Sequence, residues 1–276
     1  MRILFLGDIV GEPGRKIVMR AVPLLKKRWK LDLVVANAEN AAGGSGITTR
    51  CWSQLAGAGV DAFTMGDHVY RHKDVYDLFG RKPPMCRPAN FSPEAPGPDH
   101  VVVETADGTR LAVMTVLGRL FMKPVDCPFR AVDRLLEKLD DIKVVLIDVH
   151  TEATSEKQTL MRHLVGRVSA VFGTHTHVPT ADAAVYPPGT AYITDVGMCG
   201  PYEGVIGRDW TKVLHTMLTQ EPVFFEVAKS DARISGGLVE IDPATGRATS
   251  CKLVHMTEAD LEALADAPFG DEGGGV

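Results

Sequence analysis

The sequence predicts an α/β fold, because short apolar runs alternate with helical patterns through about residue 180. After that point the pattern changes to mostly strand-like segments, which predicts a second sheet packed on the first. At 276 residues the chain is long enough to form one large domain of this class. In such folds, ligands gather at the carboxyl ends of the parallel strands.

Six short runs rich in Val, Ile and Leu predict buried strands in the first part of the chain. In order, they are Ile3–Leu6, Leu33–Ala36, Ala62–Met65, Leu111–Val116, Val144–Ile147 and Val168–Phe172. Apolar residues at helical spacing predict helices between several of these strands. These helices are Arg15–Trp29, Phe129–Leu139 and Ser155–Leu164.

The rest of the chain is assigned in the same way. The later strands are expected at Ala191–Thr194, Val223–Val227, Gly237–Ile241 and Ser250–His255, with one helix at Asp209–Leu218. The six prolines of Arg81–Pro98 predict an irregular surface connection. We expect residues 1–269 to form a single domain and residues 270–276 to form a flexible C-terminal tail.

Composition limits the classes of function. The chain is 45% hydrophobic and 24% charged, as in an ordinary globular protein, and no apolar run approaches the roughly 20 residues that span a bilayer. The first apolar run is also too short for a signal peptide, so we expect a cytoplasmic protein. The net charge of −5 argues against generic DNA binding. Five cysteines without a Cys-x-x-Cys pair argue against a disulfide framework or a zinc knot.

Polar side chains follow several of the predicted strands at the point where each strand ends. These clusters are Gly7-Asp8, Glu39-Asn40, Gly66-Asp67-His68, Asp148-Val149-His150 and Gly173-Thr174-His175-Thr176-His177. Carboxylate, amide and imidazole ligands together suit borderline divalent metals such as iron, manganese or zinc. The sequence therefore predicts a metal site assembled from strand ends, and a pair of metals there would favour phosphoester hydrolysis.

Individual residues suit particular roles in such a site. His175 and His177 stand at alternate positions of an extended segment, so both imidazoles share a side and each can reach one of two metals. Glu39 has two oxygens that can bridge two cations. Asn40 adds a neutral carbonyl oxygen.

His68 is the candidate general acid, because it lies beside the candidate ligand Asp67 and an imidazole can protonate a departing alkoxide. Asp8 and His150 are further candidate ligands at strand ends. For Asp148 two interpretations stay open: the carboxylate orients a histidine, or it faces solvent or caps the strand end.

The motif Gly173 to His177 resembles the Gly-His-Thr-His ending of the calcineurin-like metallophosphoesterases, with Thr174 inserted. A narrower group matches over nearly the whole chain. The segments 7–11, 38–44, 150–157 and 173–179 are similar to motifs of the YmdB family of bacterial phosphodiesterases. This resemblance implies a four-layer α/β/β/α sandwich of the metallophosphoesterase type.

The resemblance also implies a site with two metal ions, iron or manganese, with zinc as an alternative. The implied ligands are Asp8, Glu39, Asn40 and His177 on one side, and Glu39, Asp67, His150 and His175 on the other. His68 would be the proton donor. The implied reaction is attack of a metal-bridging hydroxide on a phosphodiester, with 2',3'-cyclic mononucleotides as the expected substrate class.

Two positions depart from the pattern of the wider superfamily, which usually has Asp-x-His in the first cluster and Asn-His in the third. Here Asp8-Ile9-Val10 lacks the histidine, and Asp67 replaces the asparagine. Two divalent cations would be balanced in full by Asp8, Glu39, Asp67 and one hydroxide, whereas an asparagine would leave one positive charge. We hypothesise that Asp67 strengthens metal binding and weakens phosphate attraction, or favours one trivalent iron.

Three other functions are alternatives to a phosphodiesterase. A metal-dependent regulatory protein that senses a nucleotide with weak or no turnover is the main alternative. A metallo-β-lactamase-like hydrolase does not fit, because its His-x-His-x-Asp-His run is absent. A nuclease acting on RNA would need a basic groove, so the expected partner is a small phosphodiester such as a cyclic nucleotide. The sequence leaves open whether the chain forms a homo-oligomer.

Overall fold

The computed structural model describes residues 1–268, which form fourteen strands and seven helices. The strands are β1 (Arg2–Leu6), β2 (Asp8–Ile9), β3 (Leu33–Asn37), β4 (Ala62–Thr64), β5 (Met85–Cys86), β6 (His100–Glu104), β7 (Arg110–Leu117), β8 (Val144–His150), β9 (Ala170–Thr174), β10 (Ala184–Tyr186), β11 (Thr190–Ile193), β12 (Met198–Pro201), β13 (Ala232–Asp242) and β14 (Arg247–Thr257). The helices are α1 (Gly11–Trp29), α2 (Thr49–Gly57), α3 (Asp74–Gly80), α4 (Pro128–Lys138), α5 (Thr154–Leu164), α6 (Trp210–Thr219) and α7 (Glu258–Asp266).

The strands form two sheets. The first has eight strands in the order β2-β12-β13-β1-β3-β4-β5, with β14 paired to β13. The second has six strands in the order β10-β11-β9-β8-β7-β6. Strands β1, β3, β4 and β5 run parallel to one another, as do β7, β8, β9 and β11, so the carboxyl ends within each set lie at one edge.

The two sheets pack face to face because alternate residues of a strand point to opposite faces. In β1, Ile3 and Phe5 belong to the apolar cluster shared with the second sheet, whereas Leu4 and Leu6 pack with the helices. The rings of Phe5 and Phe172 stack across the interface with centroids 5.5 Å apart.

Helices cover both outer faces. Residues of α1, α2, α3 and α7 pack with the outer face of the first sheet, and residues of α4 and α5 pack with that of the second. The order of layers is therefore helices, sheet, sheet, helices. The predicted four-layer α/β/β/α sandwich is confirmed.

The expected division of the sheets by position in the chain is wrong. Strands β13 and β14, which follow residue 180, join the first sheet, where β13 pairs antiparallel with β1. Strands β8 and β9, which precede residue 180, belong to the second sheet. The reason is that β1 is a central strand that needs a partner on each edge: β3 occupies one and β13 the other.

Two predicted segments also differ. The expected strand Val223–Val227 makes only an isolated bridge between Val227 and Arg208, and Phe224 is exposed. The segment Arg81–Pro98 is not wholly a surface connection, because β5 lies within it and residues 85–90 are buried. Short strands of this kind carry too few residues to show a period in the sequence.

Helix α1 begins at Gly11, four residues before the predicted start at Arg15. Pro13 lies in the first turn, where a missing N–H costs no hydrogen bond. The described helices include none that is both long and apolar enough to cross a membrane. The predicted tail, residues 270–276, lies outside the described residues.

Candidate metal centre

The predicted site residues lie at the carboxyl ends of the parallel strands. Asp8 is in β2, directly after β1; Glu39-Asn40 follows β3; and Asp67-His68 follows β4. His150 ends β8, and the segment 175–177 follows β9. Because these strand ends meet between the two sheets, residues far apart in sequence come within contact distance. The structure brings together all of the predicted residues: Asp8, Glu39, Asn40, Asp67, His68, His150, His175 and His177.

One group of side chains has the geometry of a metal site. Glu39, Asp67, His150 and His175 each offer one ligand atom, and these four atoms lie within 4.8 Å of one another. Nε2 of His150 lies 3.2 Å from Oε1 of Glu39 and 3.1 Å from Nδ1 of His175. Two carboxylates and two imidazoles at this spacing are donors that iron, manganese and zinc accept.

A second group adjoins the first through Glu39. Nδ2 of Asn40 lies 3.2 Å from Oδ1 of Asp8, 3.3 Å from Oε1 of Glu39 and 3.2 Å from Nε2 of His177. Two carboxylate oxygens and one imidazole nitrogen thus surround an amide with two hydrogens. A half-turn of the amide would put Oδ1 of Asn40 where Nδ2 now lies. Asp8, Glu39, His177 and Asn40 would then all direct metal-ligating atoms at one point. Glu39 is thus shared by both groups.

Two further observations show that the residues fit bound metal. Oδ1 of Asp67 is buried and has no hydrogen-bond partner among residues 1–268, a costly arrangement unless a cation occupies the space beside it. Gly66 leaves that space open, because a Cβ there would overlap Oε2 of Glu39 and Nε2 of His150. The donor set and this open space together suggest metal ions.

The three carboxylates of the site stay ionised although burial opposes it. Burial alone would raise the pKa of Asp8, but His177 and His150 lower it to about 2. Burial likewise opposes ionisation of Glu39, and His150 and His68 hold its pKa well below the usual range. The pKa of Asp67 is also lowered, by His150 against the effect of burial. The site therefore holds three carboxylates that favour the ionised form beside its histidines.

The histidines respond to that charge. Burial would lower the pKa of His150, but Glu39 and Asp67 raise it well above its usual value. Burial also opposes charge on His177, whose pKa is raised by Asp8. The pKa of His175 is lowered, first by burial and then by the charge of His150. The same field that favours protons on His150 and His177 would attract a metal cation.

His68 lies at the partly open side of this centre. Its backbone N–H donates to Oε2 of Glu39 at 2.9 Å, and its Nδ1 lies 2.9 Å from Oδ1 of Asn40 and 3.2 Å from Oε1 of Glu39. Nε2 lies 3.8 Å from Oδ2 of Asp67. The ring is therefore held through Nδ1, which leaves Nε2 as the nitrogen free to exchange a proton with a bound molecule.

Asp148 is fully buried, so it neither faces solvent nor caps an exposed strand end. Its carboxylate accepts hydrogen bonds from Nδ2 of Asn37 at 2.9 Å, Oγ1 of Thr64 at 2.6 Å and Oγ1 of Thr174 at 2.6 Å. Oγ1 of Thr174 also lies 2.8 Å from Nδ1 of His150. Burial raises the pKa of Asp148 to about 6. The carboxylate thus orients His150 through Thr174.

Sequence reasoning missed a second supporting group, beneath the segment 175–177. His175 and His177 have φ values of 90° and 66°, which residues with a side chain rarely adopt. Between them, Oγ1 of Thr176 donates to Oδ2 of Asp195 at 2.7 Å. Asp195 also accepts a hydrogen bond from the buried Lys157 at 2.5 Å. This pair fixes the backbone on which both histidines stand.

Comparison with known proteins gives a consistent result. The profile of the family described as YmdB-like protein matches residues 4–254. A protein of Bacillus subtilis named 2',3'-cyclic-nucleotide 2'-phosphodiesterase is 44% identical over 259 residues, which cover 94% of this chain and 98% of the relative.

Two solved structures are similar over almost their full length. A hypothetical protein from Thermus thermophilus is 43% identical, with a TM-score of 0.89 over 94% of this chain and 100% of that one. A structure described as a novel phosphatase from Mycoplasma pneumoniae is 32% identical, with a TM-score of 0.88 over 98% of this chain and 97% of that one.

Proposed function

The chain belongs to the YmdB-like family, and we propose that it is a metal-dependent phosphodiesterase that hydrolyses 2',3'-cyclic mononucleotides. The observation that carries the proposal is the position of Glu39, a buried carboxylate shared by two adjoining groups of metal-ligating side chains. The substrate class follows from the relative that is 44% identical and is named for this activity. A regulatory protein without turnover is not favoured, because that relative is named as an enzyme.

The metals proposed are two ions, iron or manganese, with zinc as the alternative. Asp8, Glu39, Asn40 and His177 would hold one, and Glu39, Asp67, His150 and His175 the other. When bound, such ions supply a Lewis acid for the phosphoryl oxygens and promote ionisation of the attacking water.

The chain's own contribution to the reaction is positioning and proton transfer. Water adds to phosphorus, the bond from phosphorus to O2' breaks, and the product carries a 3'-phosphate, as the relative's name implies. Once the Asn40 amide has made the half-turn that brings Oδ1 to the metal ligands, its Nδ2–H would donate to Nδ1 of His68 and place the ring proton on Nε2, which can pass it to the departing O2'. We therefore assign His68 as the general acid.

The first test is hydrolysis of bis-p-nitrophenyl phosphate against p-nitrophenyl phosphate, followed by 2',3'-cyclic AMP, with protein loaded with manganese or iron. The proposal predicts preference for the diester and release of adenosine 3'-monophosphate. Bound metal and bound nucleotide without turnover would instead support the regulatory alternative. Preference for the monoester would retain the site and overturn the substrate class.

Replacing His68 by alanine should lower kcat for 2',3'-cyclic AMP by about 10²- to 10⁴-fold, because the ribose alkoxide then leaves without a proton. The loss should be smaller for bis-p-nitrophenyl phosphate, whose leaving group is stable as an anion. Metal content, measured by mass spectrometry, should stay unchanged. His68→Gln, which keeps a polar contact but cannot act as the acid, should behave like the alanine variant. Equal losses on both substrates would contradict the assignment.

Replacing Asp67 by asparagine should weaken metal binding and lower KM for the diester, because one negative charge leaves the centre. Calorimetric titration with manganese and steady-state kinetics measure the two effects separately. Oδ1 of Asp67 lies beside His150 and His175, so the change affects only one of the two groups. Unchanged metal affinity together with unchanged KM would refute the charge hypothesis.

Further proposals concern the setting of the reaction. We propose that residues 1–269 act as a single metallophosphoesterase domain, that the protein is cytoplasmic, and that its partner is a small phosphodiester rather than DNA or a membrane. A homo-oligomer is a separate proposal, which light scattering on the purified protein would test.

A further inference from the structure

We propose that the loop between β7 and α4, residues 118–127, forms the nucleobase side of the substrate site. In this proposal Phe121 is the stacking surface and Lys123 is a contact for the phosphate. The inference rests on the proposed function for the identity of the substrate. It adds one residue that contacts the base and one that contacts the phosphate, neither of which coordinates metal or belongs to the segments that carry the family resemblance.

The loop is closed at its base by Asn90, which is fully buried. Oδ1 of Asn90 accepts from the N–H of Leu117 at 2.9 Å, and Nδ2 donates to the carbonyls of Leu117 and Asp126, both at 2.9 Å. The N–H of Asp126 donates to the carbonyl of Asn90 at 3.0 Å. One side chain thus holds both ends of the loop together, as in a compact Ω-loop.

The first turn of the loop is fixed directly against the metal centre. The N–H of Gly118 donates to the carbonyl of His150 at 3.1 Å. The carboxylate of Glu156, a buried residue of α5, accepts from the N–H groups of Arg119 at 2.9 Å and Leu120 at 3.3 Å. The backbone that leads to Phe121 therefore has a defined position next to His150.

The far side of the loop returns to the same group of ligands, at Asp67. Nζ of Lys123 lies 4.0 Å from Oδ2 of Asp67, and its side chain is 63% exposed. The loop therefore runs from His150 to Asp67, and residues 120–122 lie between these two contacts. An ammonium group beside Asp67 offsets the extra carboxylate of the centre and can approach a phosphate oxygen of a bound ester.

Phe121 is 90% exposed, although it stands in a loop that is held at three places. Its φ of 62° lies in the left-handed region, which phenylalanine rarely adopts. Such backbone conformations persist where the surrounding contacts impose them and are concentrated at functional sites. Because these contacts hold the backbone, only the two side-chain torsions of Phe121 have to be ordered when a base stacks on its ring.

The proposed substrate has two features that match this loop. It carries a flat nucleobase and an anionic phosphate, joined by a ribose that separates them by a few bonds. Phe121 and Lys123 are two positions apart and offer a flat apolar surface and a cation. With the phosphate at the metal centre, the base would extend along the loop towards Phe121.

The test compares two phosphate monoesters, adenosine 3'-monophosphate and glycerol 2-phosphate, titrated into the metal-loaded protein by calorimetry. Replacing Phe121 by alanine should weaken binding of the nucleotide by about 5- to 150-fold. The dissociation constant for glycerol 2-phosphate, which has no base, should stay the same in the variant as in the wild-type protein. Phe121→Tyr should retain binding. Phe224→Ala, at a comparably exposed phenylalanine between α6 and β13, is the matched control.

Replacing Lys123 by glutamine should weaken binding of both esters, by roughly 2- to 5-fold and less at high salt, whereas Lys123→Arg should not. The inference is overturned if Phe121→Ala weakens both esters equally or neither, or if the wild-type protein binds the nucleotide no more tightly than glycerol 2-phosphate. A base-dependent difference in binding without hydrolysis of 2',3'-cyclic AMP would instead refute the proposed function and leave the loop's role intact.

Discussion

Replacing Glu39 by glutamine should abolish hydrolysis and empty the metal centre. Oε1 of Glu39 lies 3.2 Å from Nε2 of His150 and 3.3 Å from Nδ2 of Asn40, so one carboxylate serves both groups of ligands. A glutamine is isosteric but neutral, and its amide NH₂ cannot ligate a cation. We expect the loss in kcat/KM to exceed the roughly 10- to 100-fold that follows removal of a residue supporting a metal ligand.

The measurement is metal content per chain after dialysis, together with kcat/KM for 2',3'-cyclic AMP. Glu12→Gln, an exposed position on α1, controls for the loss of one negative charge elsewhere in the chain. Retention of both metals in Glu39→Gln would show that the shared carboxylate is not needed to bind them. Retention of activity would contradict its assigned position in the site.

The six early strands and the clustering of polar residues at their ends were predictable from sequence for the same reason. A buried parallel strand appears as an apolar run, and a ligand at its carboxyl end appears as a polar residue directly after that run. Asp8 after β1 and Asp67 after β4 follow this pattern. A polar residue at the end of a buried strand is seldom needed for the fold itself. Several such residues in one chain therefore strengthen the prediction of a ligand site.

Sheet membership was not predictable in this way. The pairing of β1 with β13 joins Arg2 to Glu240, and nothing in the composition of β13 distinguishes it from a strand of the second sheet. Register and strand order depend on which edges remain unpaired after the rest of the chain has folded. The local sequence pattern of a strand does not show which of these edges it will pair with.

The hydrogen-bond partners of Asp148 were missed for a different reason. Asn37, Thr64 and Thr174 lie inside or at the ends of apolar runs, and each alone would pass as an ordinary strand residue. Their role is visible only in the structure, where all three donate hydrogen bonds to the carboxylate of Asp148. A buried polar residue needs a partner, so an isolated Asn or Asp in an apolar strand is the signal that could have indicated the network.

Replacing Lys157 by methionine should destabilise the protein by about 3 to 5 kcal/mol, the usual cost of removing one partner from a buried ion pair. Lys157 and Asp195 are each 1% exposed, with Nζ and Oδ2 2.5 Å apart. Burial raises the pKa of Asp195 and Lys157 opposes this, so without the lysine a buried carboxylate is left with less compensation. Urea denaturation of chelator-treated protein measures the change without a contribution from bound metal.

The matched control is the double variant Lys157→Met/Asp195→Asn, which removes both charges and should be more stable than the single variant. Asp195 also accepts from Oγ1 of Thr176, between His175 and His177, which both have left-handed φ values. Both variants should therefore bind manganese more weakly than the wild-type protein, by roughly the 10- to 100-fold expected for a supporting residue. If Lys157→Met lost stability but kept full metal affinity, the pair would serve the fold alone and not the position of the two histidines.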